Sequence, residues 1–315
     1  MSPVSKPLRV VFMGSPAFAV PSLLRLLADG QEVAYVVTQP DRPAGRGRDL
    51  RPPPVKVAAE ARDLPCLQPE KLKDPGTRAA LAAARPDVIV VVAFGQFLPR
   101  AVRELPPLGC INVHASLLPK YRGAAPINWA LIAGEAETGV TIMRVEAAMD
   151  AGPILLQRRV LIASRDNAGT LHDRLAELGA AALMDALGLL ANGEAVWTPQ
   201  DEAQATWAPK LRDEDCRLDL AGEPTGLVNR VRGLTPAPGA YVSLPDGRRL
   251  KVLEMRMWPE AGPAGVVLDV AEEALVVGTG TGAVALVELQ PEGKRRMGGA
   301  EFARGQRLGA GTRLV

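Results

Sequence analysis

Cysteine and long apolar runs are scarce in this sequence of 315 residues. The three cysteines, Cys66, Cys110 and Cys216, lie far apart without a CxxC spacing, which argues against a disulfide framework and a zinc site. No charge-free stretch approaches the roughly 20 apolar residues of a membrane-spanning helix. The N-terminus lacks the cleavage site that follows a secretion signal. These absences predict a soluble protein of a reducing compartment, the cytoplasm, without a metal site.

A strong net charge is also missing. The chain carries 37 Lys and Arg against 35 Asp and Glu, a net charge of +2. Solvated basic faces give such values in many metabolic enzymes, so charge alone does not decide whether a nucleic acid is a partner. The length and the 47% hydrophobic content suit one large domain or two ordinary ones, and we expect two.

Short β-branched runs alternate with helical stretches through the first two thirds of the chain. Strands are predicted at 10–13, 33–38, 87–94 and 110–115, and an amphipathic helix is predicted over 16–28. This alternation is typical of an α/β fold in which helices cover a Rossmann-like parallel sheet. The third run is apolar on both faces, as in a central buried strand.

Two extended stretches, 139–146 and 154–162, then lead into a long helix. We expect this helix to open at Thr170, because Thr170 and Asp173 have the spacing of a capping box. A stripe of leucines follows along one face of the same segment, which is typical of a helix packed on a core.

A change of composition after this helix marks a domain boundary. Residues 193–209 are polar and irregular and contain two prolines, which suits a linker. We therefore expect one domain over 1–192 and a second over 210–315. Apart from a helical patch at 226–232, the second domain has brief strand-like runs separated by Gly and Pro turns, which predicts a small β-barrel.

Asn112 and His114 are the most informative chemical pair. Residues two apart on a strand project from one face, so an amide and an imidazole lie side by side and are suited to bind an oxyanion. The alternative is that Asn112 closes a turn and His114 is a hydrogen-bonded core histidine. The breaker-rich stretch after the strand favours a site, because open α/β sheets carry their sites at the carboxyl ends of strands.

Asp150 is the best candidate to orient His114. It lies in a short loop between the two extended stretches, and a carboxylate near an imidazole favours the charged ring. The alternative is that Asp150 only stabilises a turn beside Gly152 and Pro153. The other histidine, His172, falls within the long helix and is expected to be a partly exposed helical residue.

Two glycine patterns resemble nucleotide-binding loops. Gly14 follows the first strand, but the further glycines of a dinucleotide fingerprint are absent. The stretch 278–283 fits G-x-G-x-x-A by letter, yet a strand follows it, which favours a β-turn. Nicotinamide and flavin cofactors are therefore not expected.

Two basic clusters are candidates for contact with phosphate. Arg42, Arg46 and Arg48 lie in a Gly- and Pro-rich stretch that predicts a mobile loop, and Lys294 and Arg295 lie near the C-terminus. Ordinary solvated loops are the alternative for both. Because the two clusters fall in separate predicted domains, a polyanion that touches both must be large.

Several longer segments, distributed along nearly the whole chain, carry a more specific signal. They are Val11-Phe-Met-Gly-Ser-Pro16, Thr38-Gln-Pro-Asp-Arg-Pro-Ala-Gly-Arg-Gly47, Asn112-Val-His-Ala-Ser-Leu-Leu-Pro-Lys-Tyr-Arg-Gly-Ala-Ala-Pro126, Glu137-Thr-Gly-Val-Thr-Ile-Met143, Met149-Asp-Ala-Gly152 and Leu289-Gln-Pro-Glu-Gly-Lys294. Together they resemble the methionyl-tRNA formyltransferase family. A string of this length is far more specific than any single motif.

The resemblance implies a reaction and its residues. It implies transfer of the formyl group of 10-formyltetrahydrofolate to the amino group of methionine on initiator methionyl-tRNA, without a metal. Asn112, His114 and Asp150 match the family's catalytic set. The family's contact with the reduced folate matches the four consecutive residues Ser116, Leu117, Leu118 and Pro119.

The resemblance also implies how tRNA is bound. Arg42, Arg46 and Arg48 match a loop that approaches the acceptor end of the tRNA. The family's C-terminal domain is an OB-like β-barrel that binds tRNA, which places Lys294 and Arg295 among the expected contacts. The family further implies a monomer.

The residues, taken without the family resemblance, leave three other functions as alternatives. The first is formyl transfer to a small amine such as a ribotide or a sugar nucleotide, against which the arginine-rich stretch and the second domain argue. The second is a non-catalytic binder of tRNA or folate, which the intact Asn, His and Asp set disfavours. The third is a nicotinamide oxidoreductase, for which the fingerprint is missing.

Overall fold

The computed structural model of the chain describes residues 7–44 and 49–314. In chain order its strands are β1 (Arg9–Gly14), β2 (Glu32–Val37), β3 (Arg42–Ala44), β4 (Asp49–Arg51), β5 (Cys66–Leu67), β6 (Val88–Val92), β7 (Cys110–His114), β8 (Arg122–Gly123), β9 (Glu137–Arg144), β10 (Ile154–Leu161), β11 (Trp207–Ala208), β12 (Ala240–Ser243), β13 (Arg249–Trp258), β14 (Val267–Val270), β15 (Leu275–Gly278), β16 (Ala283–Pro291) and β17 (Met297–Gly298).

The α-helices alternate with these strands, most densely in the first two thirds of the chain. They are α1 (Val20–Ala28), α2 (Pro54–Glu60), α3 (Pro75–Ala83), α4 (Arg100–Arg103), α5 (Pro126–Ile132), α6 (Ala168–Ala191), α7 (Asp213–Cys216), α8 (Pro224–Leu234) and α9 (Gly299–Gln306). Short 3₁₀ helices lie at Ala17–Ala19 and Glu202–Gln204.

The contacts divide the chain into two units. The first unit takes its described residues from Met1–Gly123, Thr138–Val160 and His172–Trp207. The second takes them from Ala124–Glu137, Leu161–Leu171 and Ala208–Val315.

A seven-stranded sheet forms the centre of the first unit, in the order β10-β9-β7-β6-β1-β2-β5. The predicted parallel sheet is confirmed from β5 to β7, and β9 then runs antiparallel to β7. Every residue of β6 is buried, as expected of a strand that is apolar on both faces. Because β1, β6 and β7 are parallel, their carboxyl ends meet at one edge of the sheet.

Proline starts several of the helices in both units. It occupies one of the first two helical positions of α1, α2, α3, α5 and α8, where its missing N–H and fixed φ are tolerated. The predicted helix over 16–28 begins with the 3₁₀ turn and becomes α-helical at Val20. Gly14 is required before this turn, since a Cβ there would lie 2.8 Å from Ala19 Cβ and 2.9 Å from Val92 O.

The predicted start of the long helix is wrong by two residues. Helix α6 begins at Ala168, and Asn167 caps it. The N–H of Thr170 donates to Asn167 Oδ1 at 3.0 Å, and the N–H of Asn167 donates to Thr170 Oγ1 at 3.0 Å. Asn167 is therefore the N-cap, and Thr170 is the third helical residue, whose side chain completes the capping box. Asn is as good an N-cap as Thr.

An antiparallel sheet in the order β12-β13-β16-β15-β14 lies in the second unit, with β17 paired to β16. Its apolar face packs with α8 and α9 into one core that includes Leu227, Val231, Leu286 and Phe302. The sequence predicted only strands after α8, so α9 corrects that expectation. The turn predicted near 278–283 is confirmed, and the N–H of Thr279 donates to Gly282 O at 2.8 Å between β15 and β16.

The three cysteine thiols are free. Burial raises the pKa of the Cys110 thiol to about 12. Across the described ranges, none of the helices combines the length and apolar character needed to cross a membrane.

Candidate active site

Strand β7 places Asn112 and His114 at the carboxyl edge of the sheet. Asn112 lies opposite Met143 and His114 opposite Thr141 on β9, so the two side chains leave the same face of β7. His114 is 6% exposed and Asn112 is half-buried. Within residues 7–44 and 49–314, the Asn112 amide has no hydrogen-bond partner. It is therefore available to donate to a ligand.

The imidazole of His114 lies between a carbonyl and a carboxylate. Its Nε2 is 2.9 Å from Tyr121 O, and its Nδ1 is 3.7 Å from Asp150 Oδ2. Because a carbonyl oxygen only accepts hydrogen bonds, Nε2 must carry a hydrogen. Nδ1 is then the ring atom that exchanges a proton or donates to a ligand, and it faces Asp150.

Asp150 approaches His114 from the loop between β9 and β10. Its Oδ2 accepts a hydrogen bond from the N–H of Gly123 at 2.9 Å, and its side chain is 17% exposed. The loop is tight, because a Cβ on Gly152 would collide with the carbonyl oxygen of Arg144. The structure thus brings together the amide, imidazole and carboxylate that the sequence singled out, from two segments of the chain.

The segment that follows His114 is held against β9 and β10. Ser116 is fully buried and its Oγ donates to Lys120 O at 2.6 Å. Thr141 Oγ1 donates to Ser116 O at 2.7 Å and accepts from the N–H of Leu118 at 3.1 Å. Leu118 is also buried, whereas Leu117 and Pro119 are half-buried. Of the four residues expected to contact folate, these last two have side chains that reach the surface.

The first basic cluster is described only in part. Arg42 is exposed at the start of β3, which pairs with β4, so the predicted loop is a β-hairpin at its ends. Its guanidinium is 3.3 Å from Glu70 Oε2. Arg46 and Arg48 lie outside the described residues.

The neighbouring Asp41 anchors this hairpin. Its carboxylate accepts from Gln68 at 2.6 Å and from Lys56 Nζ at 2.9 Å, and these hydrogen bonds lower the pKa of Asp41. The same ion pair raises the pKa of Lys56.

The second basic cluster lies in the turn between β16 and β17. Lys294 and Arg295 are both exposed. Arg295 donates to Glu301 Oε1 at 2.7 Å. The second histidine, His172, is partly exposed as predicted, and its ring contacts Phe18 edge-on at 5.3 Å between centroids.

Sequence reasoning missed two groups of contacts. Tyr121 O and Gly123 N touch the site through the backbone, which no side-chain motif reveals. Arg122 and Gln200 lie behind Asp150 and are 78 residues apart in the chain, so no local pattern joins them. In the part of the chain that the structure describes, no three His, Cys, Asp or Glu side chains cluster as metal ligands would.

Two family models match the chain. The model described as "Formyl transferase" matches residues 8–187, and that described as "Formyl transferase, C-terminal domain" matches residues 210–307. The methionyl-tRNA formyltransferase of Geobacter sulfurreducens is 49% identical, over 98% of this chain and 96% of its own length. The protein of the same name from Methylobacterium sp. is 47% identical, over 98% of this chain and 99% of its own length.

Solved structures with a similar fold are more distant in sequence. HypX from Aquifex aeolicus in complex with tetrahydrofolic acid has a TM-score of 0.66 and 19% identity over 95% of this chain, which spans 47% of HypX. WlaRD, a sugar 3N-formyl transferase, has a TM-score of 0.67 and 15% identity over 92% of this chain and 100% of its own. At these identities the likeness concerns the fold alone.

Proposed function

Because the chain belongs to the methionyl-tRNA formyltransferase family, we propose that it transfers the formyl group of 10-formyltetrahydrofolate to the amino group of methionine on initiator tRNA. The product is formylmethionyl-tRNA for translation initiation, which places the enzyme in the cytoplasm. One observation carries the chemistry. The His114 ring lies 3.7 Å from the Asp150 carboxylate on the same strand face as an Asn112 amide that has no partner among the described residues.

The reaction forms one C–N bond and breaks another. The methionyl amine attacks the formyl carbon, and the carbon–N10 bond of the folate breaks from the tetrahedral intermediate. An α-amino group titrates at about 7.7 to 8.0 and the ester lowers that further, so much of the amine is already neutral. The protein therefore has to position the two substrates and stabilise charge more than it has to activate a nucleophile.

Asn112 and His114 stabilise the oxyanion of the intermediate. The Asn112 amide donates one hydrogen bond, and protonated His114 donates another from Nδ1, since Nε2 is already bound to Tyr121 O. His114, directly or through a water, then passes a proton to N10. Asp150 stabilises the positive ring and accepts a proton released by the attacking amine.

Separate residues contact the two substrates. Leu117 and Pro119 contact the reduced folate with their side chains, while Ser116 and Leu118 keep the segment in shape. Arg42, Arg46, Arg48, Lys294 and Arg295 contact the phosphates of the tRNA. The antiparallel sheet of the second unit closes as an OB-like barrel, and residues 193–209 link it to the catalytic domain.

Formylation with labelled folate tests this function. The full chain is incubated with formyl-labelled 10-formyltetrahydrofolate and initiator methionyl-tRNA, and the label is counted in each product after chromatographic separation. Free methionine and an amino-sugar nucleotide are run beside it as acceptors. We expect label in tRNA alone. Label in the sugar nucleotide instead would overturn the assignment of the acceptor, and label in none would overturn the reaction.

A further inference from the structure

We propose that Arg122 and Gln200 are positioning residues that hold Asp150 against His114. The inference rests on the function proposed above and adds to it two side chains that touch neither substrate. The first observation is the conformation of the loop that contains Asp150.

This loop requires outside support. Asp150 has a φ of 51°, in the left-handed region that disfavours residues with a side chain. Among the residues that the structure describes, its carboxylate accepts one hydrogen bond, from the N–H of Gly123. A backbone in this conformation persists only where its surroundings hold it, so contacts to the loop backbone decide where the carboxylate lies.

Gln200 supplies those contacts. Its Nε2 donates to Asp150 O at 2.8 Å and to Gly152 O at 2.7 Å, which fixes the loop on both sides of Ala151. Its Oε1 accepts from Nε and Nη2 of Arg122, at 3.0 and 2.8 Å. Both hydrogens of the amide and both acceptor positions are thus used, and the amide is held in one orientation.

Arg122 fixes Gln200 in turn. The Arg122 side chain is 4% exposed, and it forms a two-point pair with Glu202 at 2.7 and 2.8 Å. These hydrogen bonds raise the pKa of Arg122 and lower the pKa of Glu202, so both stay charged. A buried guanidinium needs such partners, and its planar fork orients both of them.

Arg122 also lies between the two backbone groups that touch the site. The preceding carbonyl of Tyr121 accepts from His114 Nε2, and the following N–H of Gly123 donates to Asp150. Anchoring Arg122 therefore sets the positions of the imidazole and of the carboxylate together. Gln200 and Glu202 lie beyond residue 187, where the first family model ends, so a segment expected to be a linker supports the site.

Two substitutions of Gln200 test the proposal. Gln200→Leu removes all four hydrogen bonds, and Gln200→Glu keeps an acceptor for Arg122 but loses both donors to the loop. Each is expected to lower kcat roughly 10- to 100-fold, as misplacement of a reacting group by about 1 Å does, with KM for methionyl-tRNA nearly unchanged. Gln204→Leu, an exposed residue of the same segment, is the control and should keep wild-type kcat. Wild-type kcat in both Gln200 variants would overturn the proposal.

A double substitution separates positioning from a general structural effect. If Gln200 acts through Asp150, Gln200→Leu should lower kcat no further in an Asp150→Ala background. An equal further loss in that background would mean that Gln200 acts elsewhere, and the proposal would fail.

Amide hydrogen exchange gives a readout that does not need activity. Without substrates, Gln200→Leu should speed exchange of the Gly123 amide, whose acceptor is Asp150, and leave α1 unchanged. Unchanged exchange at Gly123 overturns the positioning role. A wild-type protein that formylates no acceptor overturns the proposed function instead, so the two failures are distinguishable.

Discussion

The interiors of the two units differ in the groups that they bury. The first unit buries two ionisable side chains at its site, His114 and Arg122, each held by hydrogen bonds to separate segments. In the described part of the second unit, the buried polar residues are Asp166, Thr235 and Thr279. Their hydrogen bonds mostly close local turns, such as Asp166 Oδ2 with the N–H of Ala163 at 2.7 Å.

The two sets of buried groups should therefore differ in whether their substitution affects turnover or the free energy of unfolding. Buried charged groups are retained only where partners compensate their loss of water, and in the first unit those partners converge on one site at the sheet edge. In the second unit the core is apolar, and the carboxylate of the buried Asp166 bonds within its own turn, to the N–H of Ala163 and to Thr170 Oγ1. Substitutions of the buried polar groups at this site should therefore lower turnover, and substitutions in the apolar core of the second unit should lower stability.

The largest effect is expected at His114. His114→Ala should lower kcat roughly 10²- to 10⁴-fold, because in the proposed mechanism the ring both donates to the oxyanion and moves a proton. Binding of methionyl-tRNA, measured by filter binding, should be nearly unchanged. The matched control is His172→Ala, which removes the other histidine of the chain. A variant of His114 that loses tRNA binding but retains turnover at saturating tRNA would assign the ring to recognition.

Asn112 is expected to have the next largest effect. Asn112→Ala should lower kcat on the order of 10²- to 10³-fold, the usual loss for one oxyanion donor. KM should change little, since the hydrogen bond strengthens in the transition state. Asn192→Ala, at the end of α6, serves as control. Unchanged turnover in Asn112→Ala would remove the amide from the mechanism.

The proposed catalytic groups could be singled out from the sequence because they lie in short, distinctive segments. Asn112 and His114 are two residues apart on an apolar strand, and the alternation of a strand gives them a common face without further information. The central strand β6 was also predictable from local sequence, since its five consecutive apolar residues leave no polar face.

The groups behind them could not be predicted. Gln200 meets Arg122 and Asp150 only after the chain has returned from α6, and its surroundings are polar and irregular in sequence. The N-cap of α6 could not be placed from spacing alone. Asn167 with Thr170 and Thr170 with Asp173 both have the spacing of a capping box, and the structure forms the first pair.

A core substitution in the second unit should show the opposite behaviour. Leu286 is fully buried on β16, between Met255 of β13 and Leu275 of β15. Leu286→Ala should lower the free energy of unfolding by about 2 to 5 kcal/mol, because it removes buried apolar surface and leaves a cavity. Well below the melting temperature, kcat should be retained. Calorimetry and initial rates on one preparation check both statements.

The matched control for this substitution is an exposed leucine at the end of β10. Leu161 is 73% exposed, so Leu161→Ala should change stability by no more than about 0.5 kcal/mol. If Leu286→Ala lowered kcat as strongly as Asn112→Ala while the protein stayed folded, the separation of chemistry from stability would be wrong.

The smallest effects are expected from the two basic clusters, and the first cluster should contribute more to tRNA binding than the second. Replacing Arg42, Arg46 and Arg48 with Gln should weaken tRNA binding and reduce the slope of log K against log salt by up to about 0.9 for each phosphate that the protein no longer neutralises. Arg25→Gln, on the outer face of α1, is the control. Turnover at saturating tRNA should be intact. The same affinity and slope as wild type would mean that these three arginines do not contact the tRNA.

Replacing Lys294 and Arg295 with Gln should weaken binding still less. Arg295 already pairs with Glu301 at 2.7 Å, so a phosphate must compete with a carboxylate for the same guanidinium. Both partners are largely exposed, and salt at physiological strength screens charges beyond about 8 Å. Glu301→Gln should therefore tighten tRNA binding slightly, and titrations at two salt concentrations check the sign. Weaker binding in Glu301→Gln would show that the pair orients Arg295 for the tRNA rather than competing with it.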